Sequence, residues 1–236
     1  MKSYWYRRVP NFGDRLAPIL LEHSAIEAEW APPVEAELVT VGSVLQGLPR
    51  HWPGIVLGSG LIAEGRFADI RHARVLGVRG ELTRDALGLP RGTFLADPGI
   101  LAGELLVGRD VTLRNDIAVA PHYVDDELVD RFPDARRIDV QADPVRVLEA
   151  IAAARLVITS SLHVAIAADA LGVLHVIEPH RDVVGGLFKF RDYVSAFGAT
   201  VEPGIPRLTS RSDMTARQAE LRDYYLSLPA AWRAIA

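Results

Sequence analysis

The chain has 236 residues, of which 49% are hydrophobic and 24% are charged, proportions typical of a globular protein with a buried core. Its 30 acidic residues outnumber its 26 lysines and arginines, giving a formal net charge of −4. We therefore expect neither a nucleic-acid partner nor a polybasic membrane-binding patch. The absence of cysteine excludes disulfides, thiolate catalysis and cysteine-ligated metal sites.

The first residues of the chain do not form the apolar region of a signal peptide. The longest uncharged stretches, such as Leu156 to Ala168, are shorter than the ~20 residues needed to span a bilayer. We therefore expect no transmembrane segment and a cytoplasmic location.

Short apolar runs alternate with segments of helical periodicity, a pattern typical of α/β layers with a parallel sheet. In the first half we predict a helix at 15–23 and strands at 3–6, 37–41, 55–57, 74–78 and 93–95. Turns containing glycine follow several of these strands, at 42–43, 58–60, 79–80 and 97–99. In a parallel sheet such turns gather at the carboxyl edge, where ligands bind.

The segment 102–115 combines two glycines with a burst of charge and is predicted to be a linker. After it we predict strands at 117–120, 137–140, 156–159 and 173–177, and helices at 126–132, 144–154, 161–171 and 187–197. A long helical pattern at 213–234 is predicted to pack back across both halves. The fold class is therefore α/β, with two Rossmann-like halves, residues 1–108 and 115–236, facing a cleft.

The motif TSSLHV carries the strongest chemical signal, because Ser160 and Ser161 lie between a buried strand and a helix whose first turn contains His163. Hydroxyls and free backbone N–H groups at a helix start bind anions, and a histidine there can act on the bound group. The alternative is that a serine only caps the helix and that His163 is an ordinary polar residue.

Two cationic side chains, Arg79 and Lys189, are candidates for binding an anionic ligand. Arg79 directly follows a predicted strand, so its planar fork can bind a carboxylate or phosphate, unless it forms an ordinary ion pair. Lys189 follows a double glycine and lies between Phe188 and Phe190, where a compact charge can contact a phosphate. Alternatively, Lys189 is exposed and its stem covers an aromatic ring.

Weaker signals come from the first predicted helix and from the loops. Asn11 and Asp14 flank Gly13, which allows a close backbone approach, although Asp14 can also be a simple cap. His122 follows a strand in PHYVDD and is a third candidate; the alternative is that it is an ordinary surface residue.

The spacing GxGxxG and the P-loop GK[ST] are both absent, which argues against binding of NAD and of nucleotides by a P-loop. No histidine pair has i,i+4 spacing, so no metal site is predicted.

Taken in order, NFGD, GSG, VRGELTR, DPGIL, PHYVD, SSLHVAIAADALGV and FKFRDYV resemble the motifs of polysaccharide pyruvyl transferases, especially the shorter bacterial enzymes that add ketal pyruvate to exopolysaccharide sugars. The resemblance extends from Asn11 to Tyr193. It implies a GT-B-like fold and transfer from phosphoenolpyruvate, a co-substrate, to two hydroxyls of one sugar without a cofactor. The implied acceptor is a polysaccharide or glycolipid precursor, free or lipid-linked, in the cytoplasm or at the inner face of the membrane.

The resemblance also implies roles for individual residues. It places the family's histidine at His163, the proton carrier, and its arginine at Arg79. Donor binding is expected of Arg79, Lys189, Ser160 and Ser161, and acceptor or second-proton roles of Asn11, Asp14 and His122. Val164 stands where many relatives have glycine, and the sequence alone does not decide whether this departure narrows the acceptor cleft. The alternatives are a GT-B glycosyltransferase that uses a nucleotide-sugar and a non-catalytic sugar-binding relative, because a fold does not define a function.

Overall fold

Two largely parallel sheets form the framework of the structure, a computed structural model that describes residues 1–180 and 183–234. The first sheet contains β1 (Lys2–Ser3), β2 (Glu29–Trp30), β3 (Leu38–Val39), β4 (Ile55–Leu57), β5 (Arg74–Val78) and β6 (Phe94–Leu95). The second contains β7 (Ile117–Ala120), β8 (Arg136–Arg137), β9 (Leu156–Thr159), β10 (Leu174–Ile177) and β11 (Pro206–Arg207). Among these strands only β11 is paired antiparallel, with β10.

The helices lie between and around the strands. They are α1 (Phe12–His23), α2 (Glu81–Ala86), α3 (Glu127–Arg131), α4 (Pro144–Ala152), α5 (Leu162–Leu171), α6 (Phe188–Ser195) and α7 (Arg211–Arg233). Two 3₁₀ helices span Leu45–Gly47 and Pro98–Leu106. No helix within residues 1–180 and 183–234 is long and apolar enough to cross a lipid bilayer.

Both sheets reverse their winding direction beside their first strand. The strand order is β2-β1-β3-β4-β5-β6 in the first sheet and β11-β10-β9-β7-β8 in the second. The chain therefore moves to opposite sides of β1, and likewise of β7, and such switch points open ligand crevices at the carboxyl ends of the strands. The predicted α/β class with two Rossmann-like halves is confirmed. The GT-B-like arrangement and the boundaries 1–108 and 115–236 stay predictions.

One hydrophobic core cluster spans the two halves, beside a smaller cluster in each half. Leu38 and Ile55 of the first sheet belong to the same buried cluster as Ala118 and Val157 of the second. The 3₁₀ helix Pro98–Leu106 packs against α1 and α5 within this cluster. The halves therefore share apolar surface, and each depends on the other for its burial.

Helix α7 packs back onto the first half, as predicted. The Tyr224 ring stacks on Phe94, with ring centroids 4.6 Å apart. The side chain of Gln218 donates a hydrogen bond to the Ile100 carbonyl at 2.7 Å. Leu221 lies fully buried in the shared core.

The predicted linker at 102–115 begins too early. Residues 102–106 belong to the 3₁₀ helix Pro98–Leu106, and Ala102 is fully buried. Glu104 is the one charged residue of this helix, which therefore lacks the continuous polar face that marks a surface helix. At Gly103 a side chain would begin 3.4 Å from the Ala170 carbonyl oxygen, so this glycine marks helix packing and not a loop.

Five strands are shorter than predicted. Those expected at 37–41, 93–95 and 173–177 are Leu38–Val39, Phe94–Leu95 and Leu174–Ile177, and in the other two the chain leaves the sheet early. The strand expected at 3–6 is Lys2–Ser3, and the one expected at 137–140 is Arg136–Arg137. The residues that follow, including Tyr4 and Val140, line the cleft instead.

Candidate active site

The carboxyl ends of both sheets face one cleft of about 370 Å³. At each switch point, the segments that follow the two neighbouring strands each contribute a residue to the cleft. Tyr4 follows β1 and Ser43 follows β3 in the first sheet, and His122 follows β7 and Ser161 follows β9 in the second. The same cleft is also lined by Asn11, Asp14, His163 and Lys189, which lie at or near the N-terminal ends of α1, α5 and α6. Within the described ranges, no group of three histidine, aspartate or glutamate side chains is placed to hold a metal ion.

Asn11 and Asp14 form two hydrogen bonds with one another at the start of α1. The Asn11 side-chain oxygen accepts a hydrogen bond from the Asp14 backbone N–H at 3.0 Å, and its amide donates to Asp14 Oδ2 at 2.7 Å. Asn11 is therefore the cap, and Asp14 supports it. Burial raises the pKa of Asp14 above its ordinary value, and Asn11, His163 and Lys189 only partly oppose this. Asp14 can therefore hold a proton closer to neutral pH than an exposed aspartate can.

The two serines before α5 have different partners. The Ser160 hydroxyl accepts a hydrogen bond from the His122 backbone N–H at 2.9 Å, which ties the loop after β7 to the end of β9. Ser161 is the N-cap residue, but within the part of the chain that the structure describes its side chain makes no capping bond. Ser161 lines the cleft and is the serine placed to meet a ligand.

His163 lies in the first turn of α5, as predicted, and one of its ring nitrogens faces a buried carboxylate. Its Nε2 lies 3.6 Å from Oδ2 of Asp97, a fully buried residue that follows β6. On the other side of the ring, a methyl group at Gly13 would overlap Nδ1, so this glycine lets α1 approach His163. Asp97 was not among the predicted site residues, although the DPG turn after a strand is a signal that could have indicated it.

Lys189 is buried in the cleft wall. Its relative exposure is only 5%, so the alternative of an exposed lysine is wrong. Its ammonium lies 5.8 Å from the centre of the Phe190 ring, and among the described residues it has no hydrogen bond or ion pair within 4.0 Å. Burial, together with the smaller effect of the Arg79 charge, lowers the pKa of Lys189 to about 8, and Asp14 opposes both.

Arg79 lies behind the cleft wall and not in the lining. Its Nε pairs with Asp192 Oδ2 at 2.9 Å, Nη1 donates to the Ser43 hydroxyl at 2.6 Å, and Nη2 donates to the Leu61 carbonyl at 2.6 Å. Gly60 makes room for the guanidinium, since a side chain there would begin 2.5 Å from its Cζ. Arg79 thus holds Ser43, which does line the cleft. Direct contact of Arg79 with a donor stays a prediction.

Asp192 joins the two halves beneath the site. Besides Arg79, it accepts hydrogen bonds from the Thr83 backbone N–H at 2.8 Å and from the Thr83 hydroxyl at 2.6 Å. Asp192, a residue of α6, thereby accepts a hydrogen bond from a backbone N–H in the first turn of α2, which has no partner within its own helix. Any side chain at Gly80 would overlap the Asp192 carbonyl, so the approach of the two helices requires glycine. Because Lys189 lies one turn before Asp192, this joint also places the Lys189 side chain.

Aromatic side chains form the remaining wall. Tyr4, Tyr6, His122 and Tyr123 line the cleft, and the His122 and Tyr123 rings lie 4.3 Å apart. Burial lowers the pKa of His122 to about 4, with a further contribution from the nearby Lys189, so His122 is neutral at pH 7. Sequence reasoning missed the tyrosines, although YWY directly after the first strand and the tyrosine of PHYVD point to them.

Val164 does not narrow the cleft. Its side chain is fully buried in the shared core. Successive residues on a helix point about 100° apart, so the neighbour of a cleft-facing His163 turns away from the cleft.

Comparisons with known proteins agree with the predicted resemblance. The model of the family described as polysaccharide pyruvyl transferase matches residues 68–177, a range that includes Arg79, Asp97, His122 and His163. The succinoglycan biosynthesis protein ExoV of Rhizobium meliloti (strain 1021) is 26% identical over 221 residues, which cover 89% of this chain and 69% of ExoV. The similarity to polysaccharide pyruvyl transferases is therefore confirmed.

Proposed function

We propose, from the similarity to polysaccharide pyruvyl transferases, that this chain transfers the pyruvyl group of phosphoenolpyruvate to two hydroxyls of one sugar and releases phosphate. The observation that supports this most directly is a buried Lys189 ammonium that shares the cleft with His163. A buried cation is costly unless an anion compensates it. Lys189 has no such partner within 4.0 Å in the described part of the chain, which favours an anionic ligand.

The donor fits the polar side of the cleft. Phosphoenolpyruvate carries a carboxylate and a phosphate, and Lys189 supplies a compact charge for one of them. The Ser43 and Ser161 hydroxyls and the N-terminal end of α5 supply hydrogen-bond donors for the other. Arg79 contributes by holding Ser43 in place.

The chemistry needs one proton carrier and one further proton acceptor. His163 donates a proton to the methylene carbon of phosphoenolpyruvate, and a sugar hydroxyl attacks the adjacent carbon and gives its own proton to the histidine. The second hydroxyl then displaces the phosphate from that carbon, and its proton leaves with the phosphate, with Asp14 as the relay. Two carbon–oxygen bonds to the sugar form, one to phosphate breaks, and the enzyme returns to its starting protonation.

The acceptor fits the aromatic side of the cleft. Tyr4, Tyr6 and Tyr123 offer flat apolar faces with polar edges, a combination that suits a sugar ring with its C–H faces and hydroxyls. Neutral His122 and Asn11 supply further hydrogen bonds. Because the name of ExoV refers to succinoglycan biosynthesis, the acceptor class we propose is a saccharide precursor of an exopolysaccharide, free or lipid-linked.

The test is to incubate the purified protein with phosphoenolpyruvate and a panel of glycosides, following phosphate release and the mass gain of a pyruvate ketal. His163→Gln is the matched control, and we expect it to lose turnover by a factor on the order of 10² or more while staying folded. Consumption of a nucleotide-sugar while phosphoenolpyruvate stays inert would favour a glycosyltransferase. Sugar binding that is unchanged in His163→Ala, with no product from the parent protein, would favour a non-catalytic sugar-binding protein.

A further inference from the structure

Asp97 and His163 each bury a polar atom that faces the other. Asp97 Oδ2 and His163 Nε2 are shielded from solvent, and within residues 1–180 and 183–234 neither has a hydrogen-bond partner. They lie 3.6 Å apart, just beyond hydrogen-bonding distance. Catalytic hydrogen bonds in unliganded sites are often long and tighten when substrate binds. The two atoms therefore form a pair across the halves, with the carboxylate after β6 and the ring on α5.

The orientation of the Asp97 carboxylate is determined by the helix that it caps. Its Oδ1 accepts a hydrogen bond from the Gly99 backbone N–H at 2.9 Å, at the start of the 3₁₀ helix Pro98–Leu106. With Oδ1 engaged there, Oδ2 is the oxygen that faces His163 Nε2. A carboxylate oxygen only accepts hydrogen bonds, so the facing ring nitrogen must be the one that carries hydrogen.

We propose that Asp97 is a positioning residue that holds the neutral His163 ring with its hydrogen on Nε2, leaving Nδ1 as the atom that gives and takes protons. Nδ1 lies on the Gly13 side of the ring, which packs directly against the start of α1 because Gly13 has no side chain. Of the two ring nitrogens, Nε2 is the one that is shielded from solvent without a partner among the described residues. The reaction begins from the protonated ring, which carries a hydrogen on both nitrogens; the proton on Nδ1 passes to the methylene carbon, leaving the neutral ring with its hydrogen on Nε2, and the proton of a sugar hydroxyl then returns to Nδ1. The catalytic consequence rests on the proposed function, whereas the ring tautomer is a property of the free protein.

The tautomer can be measured directly by ¹⁵N NMR of the histidine-labelled protein, under conditions in which the ring carries a single hydrogen. We expect the His163 signals, assigned by their loss in His163→Gln, to show hydrogen on Nε2. The signals of His175 serve as an internal reference, because its Nδ1 lies 3.4 Å from the Val173 carbonyl in a separate buried environment. A native His163 ring with its hydrogen on Nδ1 overturns the proposal, and this measurement needs no variant of Asp97.

Asp97→Asn gives the opposite tautomer for a geometric reason. The Gly99 N–H requires an oxygen at the Oδ1 position, so the amide nitrogen of the asparagine takes the Oδ2 position and donates to His163 Nε2. The ring must then accept at Nε2 and carry its hydrogen on Nδ1, which removes the proton acceptor from the cleft. We expect turnover to fall by about 10²–10⁴, with a smaller change in the Michaelis constant for phosphoenolpyruvate.

Asp143→Asn is the matched control. Asp143 also precedes a proline at the start of a helix and accepts a hydrogen bond from the residue two positions on, Val145, at 3.0 Å. Loss of cap charge alone affects both variants, whereas the tautomer and turnover should change only in Asp97→Asn. An unchanged tautomer in folded Asp97→Asn contradicts the positioning role. The expected tautomers without pyruvyl transfer to any acceptor would contradict the proposed function and leave the positioning role intact.

Discussion

Lys189 retains an ionisable group inside the protein at a cost in stability. Burial lowers its pKa to about 8 in the folded protein, while the unfolded chain holds this proton up to about 10.5. Below pH 8 both states are charged and the folded state bears the full cost. Between pH 8 and 10.5 the unfolded state binds more protons, so the contribution of this residue to stability rises with pH.

We expect Lys189→Met to raise the free energy of unfolding by about 1–3 kcal/mol at pH 7, and by less at pH 10, because it removes a buried charge. Urea unfolding at both pH values measures the difference. Lys2→Met is the control, since the Lys2 side chain is 51% exposed and should change little. A lower free energy of unfolding for Lys189→Met at pH 7 would contradict this prediction and would show that the ammonium stabilises the free protein.

The same lysine should make donor binding depend on pH. Because Lys189 loses its charge as pH rises through about 8, we expect the affinity for phosphoenolpyruvate to fall above that pH in the native protein. Lys189→Arg should bind the donor more weakly at every pH, because a planar guanidinium does not fit a site built for a compact ammonium. Full activity of Lys189→Arg and Lys189→Met at limiting phosphoenolpyruvate would remove Lys189 from the site.

At the scale of elements, the approach of α1 to α5 sets the position of His163. A methyl group at Gly13 would overlap the His163 ring, so we expect Gly13→Ala to displace the ring and lower turnover about tenfold or more. Gly92→Ala is the matched control, because among the described atoms nothing lies within 4 Å of the added methyl group. Steady-state kinetics and thermal unfolding of both variants check this. Native turnover in Gly13→Ala would mean that the ring moves without consequence.

The position of Arg79 behind the wall raises the question of how it affects the donor. A lysine cannot contact Asp192, Ser43 and the Leu61 carbonyl at once, so we expect Arg79→Lys to raise the Michaelis constant for phosphoenolpyruvate about tenfold. If Arg79 acts through Ser43, Ser43→Ala should produce a comparable rise. A native Michaelis constant in Ser43→Ala, combined with a raised one in Arg79→Lys, would instead indicate direct contact between Arg79 and the donor.

Elements with a clear pattern were predictable from the sequence, and those shaped by tertiary contacts were not. The strands Ile55–Leu57, Arg74–Val78, Ile117–Ala120 and Leu156–Thr159 have the predicted bounds, because each is a short apolar run before a turn. The 3₁₀ helix Pro98–Leu106 was missed because most of it is buried and its apolar residues show no helical periodicity. Within the candidate site, His163 and Lys189 could be found from their local context. The DPG turn marks Asp97 as a candidate, but the pairing of Asp97 with His163 and of Asp192 with Arg79 could not be found, because the partners are distant in sequence.

For the whole molecule, the shared core predicts that distant residues stabilise both halves together. Leu221 of α7 is fully buried in that core, so we expect Leu221→Ala to lower the free energy of unfolding by about 2–4 kcal/mol. Leu226→Ala, on the same helix but 76% exposed, should change it by less than about 0.5 kcal/mol. Unfolding by urea should remain a single transition in both variants. Two separate transitions would show that the halves unfold independently.

The return of α7 to the first half also bears on how the protein is made. Residues of the first sheet leave the ribosome early, but Phe94 and Ile100 find their partners Tyr224 and Gln218 only when the last helix has been synthesised. The first half therefore cannot complete its packing until α7 has emerged, although domains commonly fold in the order in which they are synthesised. Until then the nascent chain exposes apolar surface of the first half, where it can aggregate.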